Sequence, residues 1–154
     1  MHGCRLMPRF GSYSTVQELH RTAVGAVYAA RRAEGGDAAF AVKVCRPDPL
    51  ILGEVEAAGV VKNFLASARD QQSLGVPGFV PIHEIGEFAA DEDGPAGAYY
   101  ATDLAVRGSC ERLISGAASV NARSLSNIIS QLTRALAELR QSRGRAHGSL
   151  EPRN

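Results

Sequence analysis

The sequence predicts an α+β fold in which a small antiparallel sheet with one packed helix is followed by a helical layer. Three observations predict it. The first third alternates short apolar runs with turn residues, the apolar period then becomes helical, and a longer helical stripe follows towards the C-terminus. The order of three strands, a helix, two strands, a short segment and a long helix predicts a five-stranded sheet.

Three strands are predicted in the first third of the chain. Tyr13–Leu19 and Gly25–Ala30 are short apolar runs, and the charged, glycine-bearing stretch Arg31–Asp37 is typical of a hairpin turn. Ala38–Cys45 is a nearly continuous apolar run that only Lys43 interrupts. Because the turns between these runs are short, we expect an antiparallel meander.

A helix over Glu54–Ser73 is predicted next, and Gly75 follows its end. Its apolar residues recur at helical spacing: Ala57, Val60, Val61, Phe64 and Ala68. Two further strands are predicted at Phe79–Phe88 and Tyr99–Leu104. The acidic stretch Ala89–Gly97 between them is interpreted as a solvated loop.

The longest element is a helix near the C-terminus, with Asn121 or Ser124 as its cap and Gly144 as its end. One continuous stripe defines it: Leu125, Ile128, Ile129, Leu132, Ala135, Leu136 and Leu139. If this stripe is left uncovered, we expect it to favour association.

Composition excludes several functions. The 154 residues are 45% hydrophobic, and 17 basic residues against 16 acidic ones give a net charge of +1, so neither nucleic acid nor an anionic membrane is favoured as a partner. The three cysteines, Cys4, Cys45 and Cys110, have neither disulfide-framework nor zinc-site spacing. His83 is interpreted as structural. With no apolar run long enough to span a bilayer and no signal peptide, we expect a cytoplasmic protein.

Four segments, in order, carry a family resemblance. Leu19–Tyr28 stands where a glycine-rich turn is expected, and Phe40–Val44 reads FAVKV. Val76–Ile82 reads VPGFVPI, and His147–Asn154 reads HGSLEPRN. Together they resemble the glycine-rich loop, the VAIK strand, the entry to the fourth strand and the catalytic loop of the protein kinase superfamily. The resemblance spans Tyr13–Asn154 and is of the bacterial Ser/Thr kinase type.

The resemblance implies a division of the chain. Residues 1–12 would be an N-terminal extension, 13–105 a kinase-like small lobe with its hinge, and 106–154 the start of the large lobe. Since the last residues correspond to the catalytic loop, we expect either a fragment of a longer protein or a truncated reading frame.

The resemblance also implies a nucleotide site. Of the three loop glycines only Gly25 remains, and His20 and Thr22 stand at the other two positions. Glycines let a loop backbone close over phosphates, so this loop should cover phosphates poorly. Lys43 would hold phosphate. The implied set is completed by side chains of the strands and the backbone of the hinge: Val27, Ala41, Thr102 as gatekeeper, Asp103 and Ala105.

The acidic partner of the lysine is missing from its expected position. In kinases a helix glutamate pairs with this lysine, and here the position falls on Ser67. Asp70 lies further along the same helix and would reach Lys43 only if the helix were shifted.

The catalytic loop departs furthest from the family. Ser149 stands in place of the aspartate that accepts the substrate proton, and a neutral hydroxyl is no base at pH 7. Glu151 replaces the lysine that steadies the transferred phosphate, which reverses the local charge. Asn154 matches a metal-ligand position of the family, but it is the only metal residue that the resemblance implies.

The sequence therefore predicts a catalytically deficient kinase-like domain, a pseudokinase, that serves as a binding or regulatory module for a protein partner. ATP binding is expected to be weak or absent, and Mg²⁺ is expected only if the protein is active. Two alternatives stay open. One is an active Ser/Thr protein kinase whose other half is not in this chain, and the other is a structural or dimerising domain without a nucleotide site.

Overall fold

The computed structural model describes residues 7–75, 77–92, 94–105, 115–116 and 119–144. The chain divides into two compact units. The first contains the residues up to Ser73 together with Pro81–Leu104, and the second contains Leu74–Val80 together with the residues from Ala105 onwards.

The first unit is built on one antiparallel sheet. Its strands are β1 Arg9–Phe10, β2 Tyr13–Thr22, β3 Gly25–Arg32, β4 Phe40–Cys45, β5 Ile82–Phe88 and β6 Gly97–Asp103. They lie in the order β1-β2-β3-β4-β6-β5, and each neighbouring pair is antiparallel. The predicted count of five strands is wrong, because two residues of the N-terminal segment pair with β2 as a sixth strand.

Three helices are described, in chain order α1 Pro49–Leu52, α2 Glu54–Gln72 and α3 Ala122–Arg143. The short helix α1 begins at Asp48, whose carboxylate accepts a 2.9 Å hydrogen bond from the Leu50 amide, and Pro49 fits its first turn because that position needs no amide donor. Gly53, at φ +83°, separates α1 from α2.

Helix α2 confirms the helix predicted over Glu54–Ser73 to within one residue. It packs on the sheet through a stripe of small and aliphatic residues, Ala57, Leu65 and Ala68, which are buried. At its C-terminal end, the Gln72 amide nitrogen donates a 3.1 Å hydrogen bond to the Ile82 carbonyl oxygen, which ties α2 to β5.

The main hydrophobic core of this unit lies on the sheet face defined by Tyr28 and Val42, called here the outer face. Alternate residues of each strand point to it, as the period of two requires. Its members are Phe10, Tyr13, Ala26, Tyr28, Ala30, Val42, Val44, Tyr99 and Ala101, with Phe40 and Phe88 packed against them.

Phe10 explains why β1 belongs to the sheet. Its ring centroid lies 5.2 Å from that of Phe88, 5.8 Å from that of Tyr99 and 6.0 Å from that of Tyr28. The side chain is 3% exposed. The described part of the N-terminal segment therefore covers the outer face.

Glu84 fixes the turn between β1 and β2. The Tyr99 hydroxyl donates a 2.6 Å hydrogen bond to the Glu84 carboxylate, and the Ser12 amide donates to the same oxygen at 3.3 Å. Gly11 lies at φ +51°, and a Cβ there would overlap both the Glu84 carboxylate and the Tyr99 hydroxyl. The turn therefore needs glycine for its conformation and for its close approach.

Arg46 connects the end of β4 to the loop between β5 and β6. Its guanidinium lies 4.6 Å from the Phe88 ring centroid and donates two hydrogen bonds of 3.1 Å to the Asp91 carboxylate. The acidic loop that was predicted to be solvated is thus anchored at Asp91, although that side chain remains half exposed.

In the second unit, α3 has the predicted boundaries. Asn121 caps it by accepting a 2.8 Å hydrogen bond from the Ser124 amide, and Gly144 ends it at φ +64°. Ala135 and Leu139 are buried, whereas three members of the apolar stripe are exposed: Leu125, Ile129 and Leu132. A search of the described residues finds no helix that is both long and apolar enough to cross a membrane.

Candidate functional site

Four of the predicted site residues lie on one face of the sheet. Val27 of β3 is directly opposite Lys43 of β4, which is directly opposite Tyr100 of β6. Ala41 and Thr102 are opposite each other in the next row of the same face. Because directly opposed residues point to the same side, the register brings these side chains together on the face away from Tyr28.

This second face, called here the Lys43 face, is the one that carries α2. Phe64 of α2 stacks on Tyr100, with ring centroids 5.2 Å apart and ring planes inclined by 25°. The aliphatic part of the Lys43 side chain therefore begins next to Tyr100, which joins the sheet to α2 through its stack with Phe64. Tyr100 and Phe64 were not predicted as part of the site, although Tyr100 stands two residues before Thr102 and so had to share its face.

Lys43 is exposed, and within the described residues no carboxylate lies within salt-bridge distance of its ammonium. Ser67, at the position expected for the acidic partner, is exposed on α2 and is uncharged. Asp70 is half-buried and has interactions of its own. An exposed ammonium without an acidic partner lowers the stability of the fold very little, because water solvates it. Among the described residues, Lys43 is therefore an unpaired cation on the side of the sheet that faces α2.

The hairpin of β2 and β3 places two side chains where a phosphate-binding loop has glycine. His20 is opposite Val27, and Thr22 is opposite Gly25. Both side chains therefore belong to the Lys43 face. The Thr22 hydroxyl donates a 3.3 Å hydrogen bond to the Gly25 carbonyl at the end of the hairpin.

Gly25 has a structural reason to be glycine. A Cβ at this position would overlap the backbone carbonyl of Val44 on the neighbouring strand. The close approach of β3 to β4 therefore requires glycine whether or not a ligand binds. Its predicted role in nucleotide binding stays a prediction.

The end of β6 carries the predicted hinge residue Asp103. Its carboxylate lies 2.7 Å from His83 Nε2, and its carbonyl accepts a 3.2 Å hydrogen bond from the Thr102 hydroxyl. The His83 ring also meets the Phe40 ring edge-on at 5.7 Å. These contacts agree with a structural role for His83. Ala105 belongs to the other compact unit, and its predicted contact with a ligand stays a prediction.

Cys45 ends β4 on the Lys43 face. Burial raises the pKa of its thiol, and the nearby charge of Lys43 opposes that shift without cancelling it. A thiol with a raised pKa is a poor nucleophile, and Cys45 is buried, so it packs in the sheet as a small residue. Cys4 and Cys110 lie outside the described residues.

The catalytic-loop residues lie outside the described residues as well. The expectations for Ser149, Glu151 and Asn154 therefore stay sequence predictions. Across the ranges that the structure describes, no group of three or more His, Cys, Asp and Glu side chains is placed to hold a metal ion.

Comparison with known proteins identifies the fold. No family model matches the sequence, and no curated relative does so. Two crystal structures of the PknI kinase domain from Mycobacterium tuberculosis are similar, each with 22% identity over 97% of this chain and TM-scores of 0.62 and 0.64. This chain covers 56% and 55% of those two chains, so it spans about half of their length. The chain has a protein-kinase-like fold.

The described residues of the Lys43 face fit the base of a nucleotide better than its triphosphate. Val27 and Ala41 are small apolar side chains on the face of Lys43, and such a surface suits the flat face of a purine. For the triphosphate and a metal ion the described residues offer one exposed ammonium, the side chains of His20 and Thr22 where glycines were expected, and no carboxylate beside Lys43.

Proposed function

We propose that this chain is a catalytically deficient kinase-like domain, a pseudokinase, that acts as a binding or regulatory module in the cytoplasm. The observation that carries the proposal is that Lys43 lacks an acidic partner among the described residues. It stands on the helix-facing side of a kinase-like sheet, yet Ser67 occupies the position of its acidic partner and no described carboxylate replaces it. In active kinases both the lysine–glutamate pair and a metal-binding aspartate must be in place.

The catalytic-loop sequence supports the same proposal. Ser149 offers no base at neutral pH, and Glu151 brings a negative charge to a position where the family has a positive one. ATP, if it binds, is held weakly by Lys43, Val27 and the backbone of the hinge. The module then works through a protein partner rather than through phosphate transfer.

Incorporation of radiolabelled phosphate tests the proposal. The full chain is incubated with labelled ATP and Mg²⁺, alone and with a general protein substrate, beside Lys43→Met as the control. We expect no time-dependent incorporation above that control. Incorporation by the parent that is lost in Lys43→Met would contradict the proposal and favour the active-kinase alternative.

A structural domain without a nucleotide site is the second candidate. The packing reason for Gly25 and the side chains of His20 and Thr22 on the Lys43 face favour it. Thermal unfolding of the full chain with adenosine, with ATP and with ATP plus Mg²⁺ separates the two candidates. A shift of the unfolding temperature that saturates with either ligand favours the pseudokinase, since a ligand of the native state stabilises it. No shift with any of them favours the structural domain.

A further inference from the structure

A cavity of about 380 Å³ lies between the residues that lead into β1 and the β2–β3 hairpin. Glu18 and Tyr28, which both line it, are directly opposite each other and belong to the outer face, so the cavity is on the other side of the sheet from Lys43. Most of its lining is apolar: Met7, Pro8, Phe10, Ala23, Ala26 and Val44. A cavity of this size, with apolar walls and a few polar groups, is typical of small-molecule sites.

Two aromatic rings form part of the cavity wall. The ring centroids of Phe10 and Tyr28 are 6.0 Å apart, and the ring planes are inclined by 33°. Both side chains are buried, with 3% and 8% of their surface exposed. Because aromatic rings favour offset or edge-on contacts with further rings, this wall suits a ligand that contains a flat ring.

Three side chains of the cavity wall leave a hydrogen-bond donor unused. The Tyr28 hydroxyl accepts a 3.2 Å hydrogen bond from Arg21 Nη2, but its own proton meets no acceptor among the described residues. Arg21 donates from Nε and Nη2 to the Glu18 carboxylate, and its Nη1 has no partner in the part of the chain that the structure describes. Arg46 Nε is buried and likewise has no described partner. A ligand that is complementary to this wall therefore carries a hydrogen-bond acceptor.

The charged groups around the cavity are paired with one another. Glu18 forms a salt bridge with Arg21, and Arg46 forms one with Asp91 at 3.1 Å. An anionic ligand would be repelled by the Glu18 carboxylate and would lose its hydration among apolar walls. An uncharged acceptor avoids both costs and still receives the hydrogen bonds.

We propose that this cavity is a binding site for a small, uncharged aromatic compound that carries a carbonyl group. The ring of the ligand packs on Phe10 and Tyr28. Its carbonyl oxygen accepts hydrogen bonds from the Tyr28 hydroxyl and from Arg21 Nη1.

The position of the cavity links this ligand to the β2–β3 hairpin. The ligand contacts the hairpin on one side and the residues before β1 on the other, so its binding stabilises the native state. The opposite side of the same hairpin carries His20 and Thr22 on the Lys43 face. The ligand is thus placed to restrain the hairpin from the side opposite the predicted nucleotide position. Binding itself requires neither Lys43 nor a nucleotide, so the proposal does not rest on the proposed function.

Three probes of similar shape test the proposal on the full chain. They are acetophenone, ethylbenzene, which lacks the carbonyl oxygen, and benzoate, which is anionic. Each is titrated into ¹⁵N-labelled protein, and the amide resonances of Ala26 and Tyr28 report on the cavity. We expect saturable shifts of both resonances with acetophenone, and a Kd at least about tenfold lower than the Kd of either other probe.

Two pairs of variants test where the probe binds. Tyr28→Phe removes the hydroxyl and keeps the ring, so it should raise the Kd of acetophenone about fivefold, whereas the control Tyr100→Phe on the Lys43 face should leave it unchanged. Ala23→Phe fills the cavity from an exposed position and should raise the Kd at least about tenfold. Val24→Phe is its control, because Val24 is also exposed and does not line the cavity.

Three results would overturn the proposal. The first is the absence of a saturable shift at Ala26 and Tyr28 with acetophenone. The second is binding of ethylbenzene or benzoate as tight as that of acetophenone, which would contradict the proposed ligand class. The third is an equal effect of Ala23→Phe and Val24→Phe on the Kd, which would place the probe outside the cavity.

Discussion

The two faces of the sheet differ in what covers them. The outer face is closed by aromatic rings: Phe10 from the N-terminal strand packs on Tyr28, Phe88 and Tyr99. The Lys43 face carries one helix through the stack of Phe64 on Tyr100, and around it lie small or exposed side chains such as Ala41 and Lys43.

This difference predicts that the outer face contributes more to the stability of the sheet than the Lys43 face does. Burial of large rings on the outer face contributes much of the free energy that holds the sheet together. Small side chains on the Lys43 face contribute less. Substitutions on the two faces should therefore have very different effects, and four predictions test the contrast in order of decreasing size.

The largest effect is expected for Phe10→Ala on the outer face. Removal of a ring that is 3% exposed leaves a cavity among three aromatic neighbours, so the free energy of unfolding should fall by about 3–5 kcal/mol. Urea denaturation measures it. Leu19→Ala, at a side chain that is 47% exposed, is the control and should change stability by less than about 0.5 kcal/mol. A loss below about 1 kcal/mol for Phe10→Ala would show that the N-terminal strand is dispensable.

The next effect is expected for Gly25→Ala. The added Cβ overlaps the Val44 carbonyl, so the strands must move apart and stability should fall by about 1–3 kcal/mol. Gly59→Ala is the matched control, because no atom lies within 4 Å of the Cβ position there. That change should stabilise α2 by about 0.5–1 kcal/mol. If Gly25→Ala is as stable as the parent, the packing explanation for this glycine is wrong.

A smaller and pH-dependent effect is expected for Glu84→Gln. Burial raises the pKa of the Glu84 carboxyl, but the hydrogen bonds from Tyr99 and Ser12 outweigh it, and the pKa lies below its usual value. The charged form is thus favoured in the folded state. At pH 7 the substitution should lower the free energy of unfolding by about 1 kcal/mol, as it weakens hydrogen bonds to a charged acceptor.

The sign of the pH dependence follows from the lowered pKa of Glu84. Its contribution is fully present above the pKa of the unfolded chain, about 4.3, and is lost as the pH falls through the folded value. Parent and Glu84→Gln should therefore differ most above about pH 5 and converge in more acidic solution. Tyr99→Phe should reproduce part of the loss, whereas Tyr100→Phe on the opposite face should not. A difference that grows as the pH falls would contradict this assignment.

The smallest effect on stability is expected for Lys43→Ala. The ammonium is exposed and has no described carboxylate beside it, so its removal should change the free energy of unfolding by less than about 0.5 kcal/mol. Chemical denaturation measures it. A loss of about 3 kcal/mol or more would reveal a buried, paired lysine with a structural role. The same variant should weaken any ATP binding, because the resemblance places Lys43 at the position of the phosphate-binding lysine.

The elements with a clear period were predictable from the sequence. Short apolar runs bounded by turn residues identified β3 and β4, and helical stripes identified α2 and α3. The candidate caps Asn121 and Ser124 and the terminal Gly144 bounded α3. The two-residue strand β1 was missed, since two residues carry no period and only packing of Phe10 makes them a strand. Helix α1 was missed for a similar reason, although Asp48 followed by Pro49 is a start signal.

Strand β5, the fourth of the five predicted strands, was predicted too long. Phe79 was expected to begin it, but β5 begins at Ile82. Pro81 has no amide to donate to a ladder, and Gly78 turns the chain at φ +92° before it. Such local breaks were visible in the sequence but were outweighed by the apolar residues around them.

The candidate site was predictable only in part. The family resemblance located Lys43 and the two hairpin residues, and the period of two then puts them on one face. The stack of Phe64 on Tyr100 and the packing reason for Gly25 depend on which residues of distant segments meet, and no pattern along the chain encodes that. The anchoring of Asp91 by Arg46 is a contact of the same kind.

Competition between adenosine and ATP for the full chain tests the central claim most directly. In the proposed pseudokinase the Lys43 face would offer a surface for a base and little grip on phosphates, because His20 and Thr22 stand where glycines would close over them. Calorimetric titration should therefore give adenosine an affinity no lower than that of ATP, with or without Mg²⁺. An ATP affinity ten times that of adenosine, about 1.4 kcal/mol of binding from the phosphates, would contradict it.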